Sequence, residues 1–114
     1  MHELSATKSI IKTIIEECTK NKSRPEEIFI DVGELTTYKK ASLVHYYDTL
    51  KKDDELLKDS RLLVKEIDTK IICNDCKKTG KIIDTTIMLC PVCNSGNIDI
   101  IEGKDLIIKK IKIY

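Results

Sequence analysis

Residues 73–93 read CNDCKKTGKIIDTTIMLCPVC, and this stretch contains two Cys-x-x-Cys pairs separated by 13 residues. A gap of two residues lets both thiolates of a pair turn toward one point, and two pairs supply the four tetrahedral ligands that structural zinc prefers. The predicted ligands of one Zn(II) are Cys73, Cys76, Cys90 and Cys93. Because these thiolates fill all four coordination positions, we expect a structural zinc with no open site for catalysis.

The paired cysteines leave three alternatives open. Tetrahedral sulfur sites also bind iron, and reduced cysteines can bind no metal at all. Two disulfides are the third interpretation, but cysteines in metal-ligand spacing indicate a reducing compartment. The fifth cysteine, Cys18, completes an apolar helical stripe, so we expect it to be a buried and unreactive thiol.

The composition is typical of a folded domain and not of a disordered segment. Of the 114 residues, 41% are hydrophobic and 34% are charged, which indicates one domain or one domain with a small insert. The net charge of +1 gives no global field that would attract nucleic acid or a membrane. No apolar run approaches the roughly 20 residues of a membrane span. Glu3, Glu16 and Glu17 interrupt any signal-peptide core, so we expect a cytoplasmic protein.

Apolar periodicity predicts two helices and three strands outside the cysteine-rich segment. The first helix is expected to end before Pro25. Its predicted buried face consists of Leu4, Thr7, Ile11, Ile14 and Cys18. The second helix is expected at residues 41–56, with a buried side drawn from Leu43, Tyr46, Tyr47, Leu50 and Leu57. Strands are expected at 28–32, 61–67 and 106–113.

These elements predict an α+β fold, with a small mixed sheet and two helices plus an inserted zinc-ribbon-like domain that has four cysteine ligands. The first domain is expected to comprise residues 1–69 and 104–114, and the inserted zinc-binding domain residues 70–103. A small hairpin core in the insert is predicted from Ile82, Ile83, Ile87, Met88 and Leu89. Gly80, Gly96 and Asn94 are expected to adopt positive φ and so let backbone N–H groups fold toward the thiolates.

A second group of candidate ligands lies at Met1-His2-Glu3. The Met1 terminal amine, the His2 backbone nitrogen and the His2 Nδ1 can close fused five- and six-membered rings on one metal. The Glu3 amide nitrogen or carboxylate could supply a fourth donor, and a planar, nitrogen-rich set favours Ni(II) or Cu(II) over zinc. A histidine after the start methionine is commonly a solvated residue, so these three residues alone leave both interpretations open. His45, the other histidine, is expected at the surface or in packing.

Taken in order, these motifs resemble the HypA/HybF family, the nickel metallochaperones of hydrogenase maturation. The matching segments are Met1-His2-Glu3-Leu4-Ser5, Gly33-Glu34-Leu35, Cys73-x-x-Cys76, Cys90-Pro91-Val92-Cys93, Ser95-Gly96-Asn97-Ile98 and Gly103-Lys104-Asp105-Leu106. They extend over essentially the whole chain. An N-terminal Met-His-Glu followed by two Cys pairs is a specific combination, although each motif alone is modest.

The resemblance implies a nickel domain with an inserted zinc domain, and a chaperone that is not an enzyme. It implies that His2 binds Ni(II) as cargo with assistance from Glu3, and that the four paired cysteines bind structural Zn(II). The implied partners are a nickel-insertion GTPase and the large subunit of [NiFe]-hydrogenase, and some relatives also serve urease. A homodimer is a further state that the resemblance leaves open. The chain departs from its relatives at Lys40-Ala41 and at His45, which leaves the partner contacts of the second helix open.

The main rival function is a zinc-ribbon module that binds nucleic acid or protein. Nucleic-acid modules contact phosphates with Lys and Arg and stack bases on aromatic rings, but residues 70–103 contain no Arg and no aromatic residue. A zinc deaminase, suggested by Cys90-Pro91-x-Cys93, needs an upstream His-x-Glu and an open zinc position. Here His2 and Glu3 are adjacent and four cysteines close the site, so a deaminase is rejected.

Overall fold

The computed structural model describes residues 3–114 and contains two helices and six strands in that range. In chain order these are α1 (Glu3–Lys20), β1 (Pro25–Gly33), α2 (Lys40–Lys51), β2 (Arg61–Ile67), β3 (Lys70–Cys73), β4 (Thr79–Lys81), β5 (Ile98–Glu102) and β6 (Leu106–Ile113). A short 3₁₀ turn, Glu34–Thr36, follows β1. The α+β class is confirmed, since two helices accompany two small sheets.

The strands form two three-stranded sheets, ordered β2-β1-β6 and β4-β3-β5. The chain therefore leaves the first sheet after β2, builds the second, and returns to the first as β6. It divides into two compact units. The first unit contains the described residues up to Asp31, with Tyr38–Lys65 and Ile107–Tyr114, and the second contains Val32–Thr37 and Glu66–Leu106. The domain boundaries at residues 70 and 103 stay a prediction. Within residues 3–114, no helix is both long enough and apolar enough to cross a membrane.

The buried face of α1 is shifted from the predicted one. The buried residues are Thr7, Ile10, Ile14 and Cys18, whereas Leu4 is 37% exposed and Ile11 is half-buried. Ile10 and Ile11 are adjacent and equally apolar, so either could complete a helical stripe with Ile14. Helix α1 packs against α2, and in the folded unit the buried one of the two is Ile10.

Helix α2 ends earlier than predicted, at Lys51 instead of residue 56. The Asp54 Oδ1 accepts hydrogen bonds from the N–H groups of Leu56 (2.9 Å) and Leu57 (3.3 Å), which is a turn that competes with continued helix. This turn places Leu57 in the core, where it is fully buried. Of the predicted buried side, Leu43, Tyr47 and Leu57 are buried, and Tyr46 and Leu50 are half-buried.

The second unit has a much smaller apolar core than the first. Strand β3 pairs antiparallel with β4 and with β5, and the buried residues of this region are Ile71, Cys73, Ile82 and Cys90. The predicted hairpin core is wrong for three of its members, since Ile83, Ile87 and Leu89 are exposed by 92%, 57% and 40%. Strand β4 ends at Lys81, and residues 82–89 form a loop in place of a hairpin arm. A unit with so little buried apolar surface needs a further source of stability.

The base of the second unit is formed where the segment after β1 meets the two ends of the cysteine-rich region. The Glu34 carboxylate accepts hydrogen bonds from the Thr69 N–H (3.1 Å) and Oγ1 (2.7 Å), and the Leu35 N–H donates to the Gly103 carbonyl (2.9 Å). Gly103 has a φ of 87°, and a Cβ there would lie 2.7 Å from the Asp68 carbonyl oxygen. This explains physically why a glycine follows β5.

Gly103→Ala is expected to destabilise the second unit by about 1–3 kcal/mol, because alanine is strained at positive φ and its methyl group would meet backbone atoms. Gly96→Ala is the matched control, since a Cβ there would meet only Leu89 Cδ2 at an ordinary 3.7 Å. Chemical denaturation of each variant measures both free energies of unfolding. Equal stability of the two variants would contradict this account of Gly103.

Candidate metal centre

The four predicted zinc ligands come together in the second unit. The sulfur atoms of Cys73, Cys76, Cys90 and Cys93 all lie within 4.8 Å of one another. Cys73 Sγ lies 3.6 Å from Cys93 Sγ, and Cys76 Sγ lies 3.7 Å from Cys90 Sγ. Tetrahedral zinc with bonds of about 2.3 Å places its sulfurs about 3.8 Å apart, so the cluster has the dimensions of a four-thiolate zinc site. Each of the five cysteines is free, which excludes disulfides in this structure.

Each Cys pair lies in a turn of the same design. The Cys73 Sγ accepts the N–H groups of Asp75 and Cys76 at 3.4 Å, and the Cys90 Sγ accepts those of Val92 (3.4 Å) and Cys93 (3.5 Å). Each first cysteine also donates its own N–H, to the carbonyl of Lys78 or of Ser95, at 2.9 Å in both turns. The two turns therefore present the thiolates to a common centre from two sides, as a pair of zinc-binding turns does.

The electrostatics of the turns favour thiolates at their first positions. The Cys76 N–H, followed by the Asp75 N–H, lowers the pKa of the Cys73 thiol to about 7 against the opposing effect of burial. The Cys93 N–H likewise lowers the pKa of the Cys90 thiol. N–H donors aimed at sulfur stabilise negative charge, and zinc binds the thiolate form. The donor set, its spacing and its charge preference therefore all fit zinc.

Positive φ in these turns occurs at residues other than the predicted glycines. Asn94, which follows the second Cys pair, has the predicted positive φ (62°). In the first turn the residue with positive φ is Lys77 (φ 64°), which follows the first Cys pair. The prediction is wrong for Gly80 and Gly96, because Gly103 has the only positive φ among the glycines of the described chain. At Gly80 the lack of a side chain instead allows Pro91 to pack closely, since a Cβ there would lie 2.5 Å from Pro91 Cγ. Lys77 could have been found from sequence, because it and Asn94 occupy the same position after their Cys pairs.

Cys18 takes no part in this centre. It lies on α1 in the first unit and is 1% exposed. Burial raises the pKa of its thiol, which keeps it protonated and unreactive at neutral pH. Its predicted role as a buried core residue agrees with this placement.

Of the N-terminal candidate ligands, Met1 and His2 lie outside the described residues. Glu3 is the first residue of α1, and its Oε2 accepts a hydrogen bond from the Lys39 N–H at 2.9 Å. That N–H, followed by the N–H of Glu3 itself, lowers the pKa of the Glu3 carboxyl group. His45 is exposed on α2 and stacks edge-on against Tyr46, with ring centroids 5.6 Å apart. The link between Glu3 and Lys39 could not be seen in the sequence, since 36 residues separate the two.

Comparison with known proteins bears on the whole chain. Residues 1–113 match a family model described as "HypA: Hydrogenase/urease nickel incorporation, metallochaperone, hypA". The hydrogenase maturation factor HypA of Campylobacter jejuni is 30% identical over 107 residues, which cover 93% of this chain and 93% of that protein. The hydrogenase maturation factor HypA of Methanocella arvoryzae is 31% identical over 114 residues, which cover 99% and 98%.

Two solved structures share the fold. A solution structure of a HypA protein superposes with a TM-score of 0.76 at 24% identity, covering 100% of this chain and 97% of that one. The solution structure of the Ni metallochaperone HypA from Helicobacter pylori superposes with a TM-score of 0.72 at 24% identity, covering 99% and 97%. At this identity, the likeness concerns the fold.

Proposed function

The chain belongs to the HypA family of hydrogenase/urease nickel-incorporation metallochaperones, and from that premise we propose that it binds Ni(II) at its N-terminus and delivers it for [NiFe]-hydrogenase maturation. It is a metallochaperone and not an enzyme, so nickel is its cargo. The observation that supports this proposal best is the family match over residues 1–113, which includes both Met1-His2-Glu3 and the two Cys pairs.

We propose that nickel is held by the Met1 terminal amine, His2 and Glu3. A terminal amine, deprotonated backbone nitrogens and an imidazole make a planar set of nitrogen donors, which suits Ni(II) better than Zn(II). Nothing in this set overlaps with the four thiolates of the second unit, so the two metals are held independently. A delivery protein must release its cargo, so we expect the nickel site to be accessible to a receiving protein.

The ion of the four-cysteine centre is proposed to be a structural zinc. Four sulfur ligands leave no position for a substrate or for an exchanging water. The small core of the second unit supports the same assignment, because metal binding would supply the stability that buried apolar surface does not.

The proposed partners are a nickel-insertion GTPase and the hydrogenase large subunit that receives the ion. A cytoplasmic location is proposed with them, because cysteines in metal-ligand spacing indicate a reducing compartment. A homodimer is a further proposed state, whose test is the molecular mass of the nickel-loaded protein in solution.

A chelator is expected to remove nickel much faster than zinc from the doubly loaded protein, because the nickel ligands lie at a chain terminus and the zinc is enclosed by four thiolates. Nickel affinity should also fall as the pH drops into the range in which imidazoles become protonated, since imidazole binds metal only when it is neutral.

Competition with a colorimetric chelator between about pH 5 and 7.5, with zinc release followed in parallel, measures both quantities. Equal release rates for the two metals would contradict an exposed, transferable nickel site. A nickel affinity that does not change over this pH range would remove the imidazole from the proposed ligand set.

A further inference from the structure

The loop that follows β4 carries an exposed apolar surface on the second unit. Ile83 is 92% exposed, Ile87 57% and Leu89 40%, and these three side chains line one open groove of about 230 Å³, the loop groove. Further apolar lining comes from Ile82 and Pro91. Single exposed apolar residues are ordinary on a protein surface, whereas a contiguous group of them around a groove marks a contact site.

The loop groove combines a protruding side chain with a recess that could receive one. Ile83 leaves almost its whole side chain in solvent, while its neighbour Ile82 is 4% exposed and lies in the lining of the same groove. The volume of the groove is below the roughly 300 Å³ at which pockets for drug-sized ligands begin. A groove of this size therefore suits a single apolar side chain better than a small molecule.

The rim of the loop groove carries charges of both signs, from Lys81 and Asp84. The Thr86 N–H (3.0 Å) and Oγ1 (2.6 Å) donate to Asp84 Oδ1 and lower the pKa of this carboxyl group, so it is charged at neutral pH. Lys81 Nζ lies 2.7 Å from Asp68 Oδ2, and because an ammonium group has three N–H donors, it can bind a second carboxylate. The rim thus offers one cation and one anion to an incoming surface.

These features favour a second copy of the chain as the occupant. A two-fold symmetric contact places the same surface on both sides, so that surface must carry both members of each complementary pair. The loop groove carries a protruding side chain with a recess, and a cation with an anion. A strongly acidic or basic protein, or an anionic membrane, would meet repulsion as well as attraction at such a rim.

We propose that two copies of the chain associate through the loop groove, with Ile83 of each copy inserted into the groove of the other and Lys81 of each copy facing Asp84 of the other. This inference rests on the homodimer named among the proposed states, whose contact surface it specifies, and it requires no nickel. One loop from each copy buries less area than the roughly 1,200 Å² at which standard interfaces begin, so the dimer is weak and forms at high protein concentration.

The test measures self-association of the full-length, zinc-loaded and nickel-free protein by sedimentation equilibrium from about 1 μM to 1 mM. Ile83→Asp places a charge inside the proposed contact and should weaken dimerisation at least about tenfold. Because Ile83 is so exposed in the single chain, zinc content and folding should not change. Ile101→Asp is the matched control and should dimerise like the parent, since Ile101 is a 48% exposed isoleucine of β5 that does not line the groove.

Two charge variants, Lys81→Glu and Asp84→Lys, test the symmetry of the contact. Each variant alone would bring two like-charged pairs together, so each should self-associate several-fold more weakly than the parent. An equimolar mixture of the two should recover dimerisation, because both pairs of the mixed dimer again join opposite charges. No recovery, with zinc content intact in both variants, would contradict the two-fold arrangement.

A mixture of isotope-labelled and unlabelled parent protein gives a direct readout that needs no substitution. Intermolecular nuclear Overhauser effects are expected between the Ile83 methyl groups of one copy and the side chains of Ile87 and Leu89 of the other. Intermolecular effects confined to residues outside the loop groove would overturn the inference.

The other outcomes each have a distinct signature. A chain that stays monomeric at about 1 mM overturns the inference. A dimer that Ile83→Asp does not weaken also overturns it, while the homodimer itself stands on a different surface. Binding of the monomeric parent, but not of Ile83→Asp, to phosphatidylglycerol vesicles would make the groove a membrane contact instead. Failure of the nickel function is seen separately, in nickel binding by His2→Ala, which leaves the loop groove unchanged.

Discussion

His2→Ala is expected to abolish tight nickel binding and to leave zinc content and fold unchanged. The substitution removes the imidazole and with it the six-membered chelate ring, while no thiolate ligand lies near residue 2 in the chain. His45→Ala is a matched control, because His45 is exposed on α2 and outside the proposed ligand set. Isothermal titration of untagged protein with Ni(II), after metal analysis, measures the difference.

A residue inserted before Met1 separates the roles of the amine and the imidazole. It keeps His2 but converts the Met1 amine into an amide, so nickel binding should also weaken. Normal binding by this extended protein would mean that nickel uses His2 without the terminal amine. If His2→Ala bound nickel with the parent affinity, His2 would not be a ligand and the nickel proposal would lose its central residue.

The same His2 variant should fail to deliver nickel in a hydrogenase maturation assay, and excess nickel should rescue the defect. Rescue is expected because excess ion bypasses a chaperone that supplies it, whereas a lost structural partner could not be replaced by nickel. Normal hydrogenase maturation with His2→Ala would mean that nickel delivery depends on another part of the chain.

Cys73→Ala or Cys93→Ala is expected to remove zinc and to unfold the second unit. Structural zinc in small domains contributes about 10–16 kcal/mol of binding free energy that is also folding free energy, far more than the few buried apolar residues of this unit supply. Loss of one thiolate also leaves three clustered sulfurs without a full coordination shell. Metal analysis and the solubility of each variant measure the effect.

Cys18→Ala is the control for the cysteine series. Cys18 is buried in the first unit, so its loss should leave zinc content unchanged and cost about 1 kcal/mol of unfolding free energy through packing. The zinc assignment would be wrong if zinc were lost with Cys18 and retained without Cys73.

The four-cysteine centre could be predicted from the sequence because the information for it is local. A gap of two residues within each pair is enough to direct two sulfurs to one point, and the structure brings all four within 4.8 Å of one another. The bounds of β2 and β6, at residues 61–67 and 106–113, were likewise predictable, since runs of β-branched and leucine residues are bounded by polar turns. The α+β class follows from the order of these elements.

Several features were decided by contacts between segments that are distant in the chain. The buried face of α1 includes Ile10 and not Ile11, and a helical pattern with two adjacent isoleucines cannot distinguish them. The apolar residues of the 82–89 loop resembled a core, but Ile82 is the only buried one among them, because β4 ends before a hairpin arm can form.

Met1-His2-Glu3 and the two Cys pairs indicated two sets of candidate metal ligands from the sequence alone, because ligand type and short spacing carry that chemistry. Only the tertiary structure showed that the Glu3 carboxylate accepts the Lys39 N–H, and that Glu34 and Gly103 close the base of the second unit. The physical reason is common to these contacts. A hydrogen bond between residues more than 30 positions apart depends on how the whole chain folds. The sequence around either residue alone does not indicate its partner.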